Sequence, residues 1–202
     1  QLCAEANGRS LSVLDSSPVV EDCELTGKGC KPVCGAPPGV QVRGATSRPV
    51  IRGCRITGHC GAGVAFGTGA GGLLANSEVS RCGCGVWLDG GADPLIWRNT
   101  IAVHTGAGLV VRADGGGWIV GNTVLQNGAG GVLVESLRRS WTVIAQNRIW
   151  KNAGVDLRQS PSAAGKSATD FGMLLLGNSA GSEGEGSSLS ANWPRRCVRT
   201  AA

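Results

Sequence analysis

The stretch Gly85-Val-Trp-Leu-Asp-Gly-Gly-Ala-Asp-Pro-Leu-Ile-Trp-Arg-Asn-Thr-Ile101 holds most of one copy of the pattern that decides the fold. Its opening doublet, Gly followed by Val or once by Leu, returns along the chain in steps of 24, 22, 23, 23 and 23 residues. The doublets begin at Gly39, Gly63, Gly85, Gly108, Gly131 and Gly154. So regular a period indicates a repeat protein, in which each unit buries its apolar side chains only against its neighbours.

Each repeat contains three short runs of alternating apolar residues, a pattern typical of half-buried β-strands. In the quoted unit the runs lie around Trp87, Ile96 and Ile101, with Gly, Asp and Pro at the corners between them, as turns require. The units contain no helical period, and the Leu-x-x-Leu-x-Leu-x-x-Asn frame of a leucine-rich repeat is missing. The sequence therefore predicts an all-β protein, a parallel β-helix solenoid of about six coils with three short strands per coil.

Two polar columns support this register. Successive coils lie about 4.8 Å apart, so equivalent side chains stack and Asn amides can hydrogen-bond along a column. The first column is Cys23, Cys54, Ser77, Asn99, Asn122 and Asn147, and the second is Lys28, His59, Cys82, His104, Asn127 and Asn152.

A metal site is the alternative for His59, Cys82 and His104 in the second column, since imidazole and thiolate suit zinc or copper. The two histidines lie about 9.6 Å apart by coil spacing. A polar ladder is the simpler interpretation, and no cofactor is predicted. A zinc site at Cys30, Cys34 and Cys60 has only a weak motif, Cys-x3-Cys without a second matched pair.

The segments 94–101, 117–124 and 143–149 resemble the repeat of the right-handed parallel β-helix (pectin-lyase-like) family. Coils that open Gly-Val-x-Val, followed by Pro-x-Ile or Gly-x-Ile, are most similar to the β-helix region of F-box-type substrate receptors. The resemblance covers roughly residues 11–158 and implies a right-handed coil. It leaves the activity open, because the superfamily includes lyases, hydrolases, epimerases and non-catalytic binders. The sequence shows no F-box helices, so a ligase link would rest on the resemblance alone.

Three segments are predicted: a β-helix over 1–158, a linker and C-terminal capping segment over 159–178, and a disordered basic tail over 179–202. The net charge is +5 without a basic stripe, so a nucleic-acid partner is not expected, and no apolar run is long enough for a membrane span. The chain opens at Gln1 within a coil and is expected to be a fragment or a processed product. Nine cysteines, several at ladder positions, favour a reducing compartment and thus a cytoplasmic or nuclear location.

Candidate catalytic residues lie on the outer face of the first run, where the resemblance places the chemistry of pectin-lyase-like enzymes. Asp89 and Glu135 fall two coils apart, about 9.6 Å, at the upper limit for an inverting carboxylate pair. Arg112 lies between them. The column alternates in charge and is expected to form partly exposed ion pairs, which favours a structural role. Its members are Arg43, Gly67, Asp89, Arg112, Glu135 and Arg158.

The neighbouring outward column contains a run of apolar residues that could bind a partner. Ala65, Trp87, Val110 and Leu133 form a stripe, continued at its ends by Gln41 and Asp156, and exposed apolar patches indicate a partner, a ligand or a covering segment. Trp97 and Trp150 also project outward by alternation and could stack on sugars or anchor a peptide. Residues 171–176 could instead fold back over the stripe or cap the last coil. The favoured function is a non-catalytic recognition module for a protein or glycan; the alternative is a carbohydrate-active lyase, hydrolase or epimerase.

Overall fold

The computed structural model describes residues 10–28, 36–112, 114–135, 141–159 and 173–180 of the 202-residue chain. These ranges contain no helix, and their strands form three parallel sheets of seven strands each. Each coil gives one strand to each sheet, so every strand pairs with the strand of the same sheet in the next coil. The predicted parallel β-helix with three strands per coil is confirmed, with roughly the predicted number of coils.

The strands follow the three predicted runs. Sheet A consists of β1 (Leu11–Leu14), β4 (Val40–Arg43), β7 (Ala62–Gly67), β10 (Cys84–Leu88), β13 (Ala107–Val111), β16 (Gly130–Val134) and β19 (Leu157–Gln159). Sheet B consists of β2 (Val19–Glu21), β5 (Val50–Arg52), β8 (Leu73–Ala75), β11 (Leu95–Trp97), β14 (Gly117–Val120), β17 (Thr142–Ala145) and β20 (Met173–Leu176). Sheet C consists of β3 (Glu24–Thr26), β6 (Arg55–Thr57), β9 (Glu78–Ser80), β12 (Thr100–Ala102), β15 (Thr123–Leu125), β18 (Arg148–Trp150) and β21 (Ser179–Ala180).

The core is a stack of aliphatic columns, one or two from each sheet. The inward residues of sheet B and sheet C are almost all completely buried, as Ile96 and Ile101 show in the fourth coil. Val86 and Leu88 supply the sheet A side of the same layer and are equally buried. Each layer therefore closes only when the layers on either side cover it, which is the packing that the 23-residue period predicts.

The glycine of each repeat doublet is explained by this packing. A Cβ on Gly85 would collide with the carbonyl of Gly108 and with side-chain atoms of Ile101 and His104. A Cβ on Gly108 would meet Val124 and Asn127 in the same way. Sheet A thus starts where its backbone packs directly against sheet C and the second polar column, and only glycine fits there.

The first polar column is a continuous hydrogen-bond ladder from Ser77 to Asn178. The backbone N–H of Asn99 donates to Oδ1 of Asn122 at 2.9 Å, and Nδ2 of Asn99 donates to the same oxygen at 3.1 Å and to the Leu74 carbonyl at 2.8 Å. Asn122 repeats these bonds to Asn147, and Asn147 repeats them to Asn178. Each buried amide therefore satisfies a backbone N–H and a backbone carbonyl of the preceding coil and donates to the amide oxygen of the next coil.

The residue before each ladder position carries the left-handed backbone of this corner. Its φ is positive in every coil, for example 52° at Arg98 and 67° at Gly121, whereas Asn99 and Asn122 themselves do not have positive φ. The turn occurs just before the ladder residue, which aims the amide into the coil.

The last coil differs from the predicted register. The sequence places Asp156 beside Leu133 and Arg158 beyond Glu135, but Leu133 pairs with Arg158. Asp156 is buried and accepts a 2.8 Å hydrogen bond from Nδ2 of Asn152, so the chain completes the second polar column before sheet A resumes. The predicted outward position of Asp156 is therefore wrong, whereas Arg158 is exposed as predicted but lies in the column of Leu133 rather than in that of Glu135.

The solenoid also continues past the predicted boundary at residue 158. β20 pairs with β17 and extends sheet B, and β21 pairs with β18 and extends sheet C. Residues 173–176 therefore lie in the solenoid wall rather than over the apolar stripe of sheet A. Most of the predicted linker (160–172) and of the predicted tail (181–202) lies outside the described residues.

The ladder makes a quantitative prediction for Asn122→Ala. The substitution removes the acceptor of two Asn99 donors and the donor to the Ile96 carbonyl, all buried. Unsatisfied buried groups cost about 1–3 kcal/mol each, partly relieved by relaxation. We expect the free energy of unfolding in urea to fall by about 2–4 kcal/mol. Asn122→Ser should lose less, because Ser77 serves the same column in an earlier coil. Thr123→Ala, at the adjacent and partly exposed position, is the control. It should change the free energy of unfolding by under about 0.5 kcal/mol.

Candidate functional site

The predicted apolar stripe lies in one outward column of sheet A. Trp87 pairs with Ala65 on one side and Val110 on the other, and Val110 pairs with Leu133. Ala65, Trp87 and Leu133 are half-buried, but Val110 is only 7% exposed because larger side chains flank it on both coils. The predicted stripe is therefore interrupted, and Trp87 is its accessible aromatic residue.

Arg112 joins the apolar column to the charged one. Its guanidinium lies 4.8 Å from the ring centroid of Trp87, and its Nε lies 2.8 Å from Oε2 of Glu135. The hydrogen bond to Glu135, with the attraction of Glu135 and Asp89, raises the pKa of Arg112. The three predicted catalytic residues, Asp89, Arg112 and Glu135, are thus brought together, with Glu135 paired to the cation between them. Arg112 and Glu135 are more than 40% exposed, so the pair contributes little to stability.

An open cleft of about 340 Å³ lies beside Trp87 on the outer face of sheet A and the corner that follows it. Its hydrogen-bonding walls are Gln41, Arg43, Thr68 and Asp89. Apolar contacts come from Trp87 together with Pro38, Ala62, Ala65 and Phe66. The volume and the mixture of an aromatic surface with a few polar groups are typical of a small-molecule site.

In the second column both ring nitrogens of His104 form backbone hydrogen bonds, whereas His59 forms one, from Nε2 to the Leu25 carbonyl at 3.1 Å, and its buried Nδ1 has no partner among the described residues. The Cys82 N–H donates to Nδ1 of His104 at 3.2 Å, so Nε2 carries the proton and donates to the Val79 carbonyl at 3.1 Å. His104 thereby reproduces the acceptor and donor of Asn127, whose Oδ1 accepts from the His104 N–H and whose Nδ2 faces the Ile101 carbonyl. The ladder interpretation accounts for these contacts. Within the described ranges, no group of three or more His, Cys, Asp or Glu is arranged to hold a metal ion.

The cysteines depart from the expectations in two places. Cys60 is disulfide-bonded, so its sulfur is not a thiolate ligand for the zinc site considered above, while Cys30 and Cys34 lie outside the described residues. Disulfides persist chiefly in oxidising compartments, so Cys60 does not follow the expectation of reduced thiols. Cys54 and Cys82 are buried as expected, and burial raises the pKa of Cys82 to about 11, but Cys23 is exposed.

The other predicted binding residues lie on different faces. Trp97 belongs to sheet B and Trp150 to sheet C, so neither reaches the cleft beside Trp87. Each is half-buried and carries a cation over its ring: Arg98 at 4.6 Å from Trp97, and Lys151 at 4.5 Å from Trp150. These side chains cover much of the indole surface that a ligand would use.

Two of the most exposed tryptophans were not predicted to be outward from the sequence. Trp118 is 56% exposed and Trp141 is 74% exposed. For Trp118 the available signal was its position just before an inward residue of the second run, because that position alternates outward. It is apolar in six consecutive coils: Val19, Val50, Leu73, Leu95, Trp118 and Val143. Sheet B therefore carries the longer outward apolar column.

Comparison with known proteins agrees with this architecture. The model of the family described as "right handed beta helix region" matches residues 11–179, and the chain belongs to this family. Among solved structures, the chain is similar to a point mutant of a periplasmic alginate epimerase, with a TM-score of 0.57 and 11% identity. The aligned part covers 83% of this chain and 47% of that one, so the chain spans about half the length of the epimerase. The comparison with curated proteins gives no match, and none of the described segments forms a helix capable of crossing a membrane.

His104 makes stability depend on pH. Burial lowers the pKa of its imidazole from 6.5 to about 4. Because the unfolded state binds the proton first, stability is fully present above about pH 6.5 and is lost as the pH falls toward 4, by about 3 kcal/mol in total. We expect His104→Asn, which supplies the same acceptor and donor, to fold. Its free energy of unfolding should lack the part that wild type loses between about pH 6.5 and 4. The measurement is the free energy of unfolding of both proteins from pH 7.5 to 4; equal slopes would contradict the assignment.

Proposed function

We propose that this β-helix is a non-catalytic recognition module that binds a glycan on the outer face of sheet A. The observation that carries the proposal is the cleft beside Trp87. It combines an indole with an amide, a hydroxyl, a carboxylate and a guanidinium, from Gln41, Thr68, Asp89 and Arg43. A sugar offers an apolar ring face and several hydroxyl groups, and this set of groups is complementary to both.

The rigidity of the scaffold supports a binding role. The cleft residues come from successive strands of one sheet, with Gln41, Ala65 and Trp87 in register on adjacent coils. Buried ladders fix the spacing of those coils, so the cleft is formed before a ligand arrives. Preorganisation of this kind reduces the entropy cost of binding.

The pairing of Glu135 favours recognition over catalysis. A glycosidase needs one carboxyl group as an acid and a second as a base or nucleophile. Here the Glu135 carboxylate accepts a 2.8 Å hydrogen bond from Arg112, which itself lies over Trp87. Glu135 is thus engaged in an ion pair, and the guanidinium that it contacts packs on the indole at the edge of the cleft.

The test is glycan binding by Trp87→Ala. An array of neutral and acidic oligosaccharides identifies a ligand, and isothermal titration calorimetry then measures its affinity. We expect Trp87→Ala to weaken binding by about tenfold or more, which corresponds to about 1.4 kcal/mol. Trp118→Ala, an exposed tryptophan of sheet B, is the matched control and should bind within about twofold of wild type. Failure of the wild-type protein to bind any glycan would contradict the proposal.

A polysaccharide-acting enzyme is the second candidate function, and the likeness to an alginate epimerase favours it. In this case Asp89 and Glu135 would flank the scissile or reacting sugar, with Arg112 between them. Such an enzyme should process a polyuronate or a neutral polysaccharide at a measurable rate, and Asp89→Asn and Glu135→Gln should each lower that rate by at least about a hundredfold. Arg52→Gln, which removes an exposed ion pair elsewhere, serves as the control. Wild-type turnover that both carboxylate variants abolish would replace the non-catalytic proposal.

A protein partner, with or without the ligase link of F-box-type receptors, remains a prediction from the sequence. The feature that would serve it is the outward apolar column of sheet B, in particular Leu95 and Trp118, which are 38% and 56% exposed. This column is on a different sheet from the glycan cleft, so the two activities would not compete for the same residues.

A further inference from the structure

The first polar column begins with two cysteines that stack on adjacent coils. Glu24 pairs with Arg55, and the Arg55 N–H donates to the Cys23 carbonyl at 2.9 Å, so Cys23 and Cys54 occupy equivalent positions just before β3 and β6. Equivalent residues of neighbouring coils lie about 4.8 Å apart. The Cα atoms of a disulfide lie about 4.4–6.8 Å apart, so the backbone already has the separation that a disulfide needs.

The sulfur of Cys54 takes the position that an amide takes in later coils. Asn99 accepts a hydrogen bond from the backbone N–H of Ser77 and donates to a carbonyl of the preceding coil. In the same way, the Cys54 sulfur is hydrogen-bonded by the backbone of Cys23 and donates to the Val20 carbonyl at 3.6 Å. The sulfur therefore lies between its own coil and the coil of Cys23, on the side where a bond to Cys23 would form.

Both side chains are thiols, and weak contacts hold them in place. Cys23 is exposed and Cys54 is buried, and neither is bridged. The Cys23 sulfur donates to the Glu21 carbonyl at 3.1 Å, and the Cys54 sulfur donates to the Arg52 carbonyl at 3.3 Å. Thiols are weak hydrogen-bond donors. Turning the two side chains toward each other therefore costs little free energy.

We propose that Cys23 and Cys54 form a reversible disulfide that joins the first described coil to the second. The oxidant is a small disulfide such as oxidised glutathione. The Cys23 thiolate attacks one sulfur of the oxidant and releases the first thiol, which leaves a mixed disulfide on Cys23. The Cys54 thiolate then attacks the Cys23 sulfur and releases the second thiol. Two electrons pass from the cysteines to the oxidant, and the two cysteine protons end on the two released thiols.

The order of these steps follows from the burial of the two sulfurs. A small oxidant in solution reaches Cys23, whereas Cys54 is only 2% exposed. Burial also raises the pKa of the Cys54 thiol, which reduces the fraction present as thiolate at neutral pH. Cys54 reacts in the second step, where its partner is held on the adjacent coil. Cys23 is thus the entry point, and Cys54 is the resolving cysteine.

The bond would strengthen the coil that has the least support. β1, β2 and β3 are the first strands of their sheets, so among the described residues the first coil packs against one neighbour only. This coil covers the next one, because Ser12 pairs with Gln41 and Leu14 pairs with Arg43. Gln41 and Arg43 are polar walls of the cleft beside Trp87. A disulfide between the two coils therefore stabilises the part of the scaffold that carries these walls.

The experiment oxidises the folded full chain with glutathione. One sample is treated with oxidised glutathione and a second with reduced glutathione, and both are blocked with N-ethylmaleimide and digested with trypsin under non-reducing conditions. Trypsin releases Cys23 in peptide 10–28 and Cys54 in peptide 53–55, and neither peptide contains another cysteine. Mass spectrometry should show the two peptides joined by a disulfide in the oxidised sample and separate, with blocked thiols, in the reduced sample.

Thermal unfolding measures the effect on the solenoid. Oxidation should raise the Tm of wild type by about 5–10 °C, and reduced glutathione should reverse the rise. Cys23→Ser and Cys54→Ser each remove one partner and should show no rise, and Ser77 indicates that serine fits this column. Cys82→Ser, which changes a buried thiol of the second polar column, is the control and should keep the rise.

Two outcomes would overturn the proposal. The first is an oxidised sample in which Cys23 is recovered as a blocked thiol, as a stable glutathione adduct or in a bond to a cysteine other than Cys54. The second is a joined pair of peptides without any rise in Tm, since the bond would then not stabilise the coils. If either serine variant fails to fold, the peptide map and the Tm of wild type decide the proposal without it.

Discussion

The stacking of coil on coil, at the spacing of one parallel β-strand, is the constraint on which the rest of the structure depends. It is held from inside by two kinds of contact. Aliphatic columns close each layer against the next, and the amide ladder through Asn99, Asn122 and Asn147 ties corner to corner. The hydrophobic columns are not directional, but the ladder has one register only. A shift of one residue would bury a turn residue in place of an amide and break several hydrogen bonds at once.

These two kinds of contact, the aliphatic columns and the amide ladder, explain how much of the fold could be predicted from the sequence. A repeat multiplies its own signal, so the inward columns around Val86, Ile96 and Ile101 were predictable from period alone. So was the polar column at Asn122, because a buried Asn in a solenoid has few partners except its copies. The predicted register of the last coil was wrong because it relied on the repeat pattern alone. Its Gly154-Val155 doublet matches the pattern, but Asp156 bonds to Asn152 inside the coil, and a pattern of residue types does not contain that contact.

The candidate site was less predictable than the fold because it depends on how far side chains cover one another. The sequence placed Asp89, Arg112 and Glu135 in one column and Trp87 next to them, and the structure agrees. It did not indicate that Val110 would be covered, nor that Arg112 would lie over Trp87. Trp141 was missed altogether because it precedes its strand and belongs to no apolar alternation.

The left-handed corner before each ladder residue has a consequence for the dimensions of the molecule. Seven coils make this turn at equivalent positions, so the described coils share one corner conformation and stack on one another in the same way at this corner. The outer grooves then grow in increments of one strand spacing, about 4.8 Å. The length of the outer grooves therefore follows from the number of 23-residue segments that the chain contains.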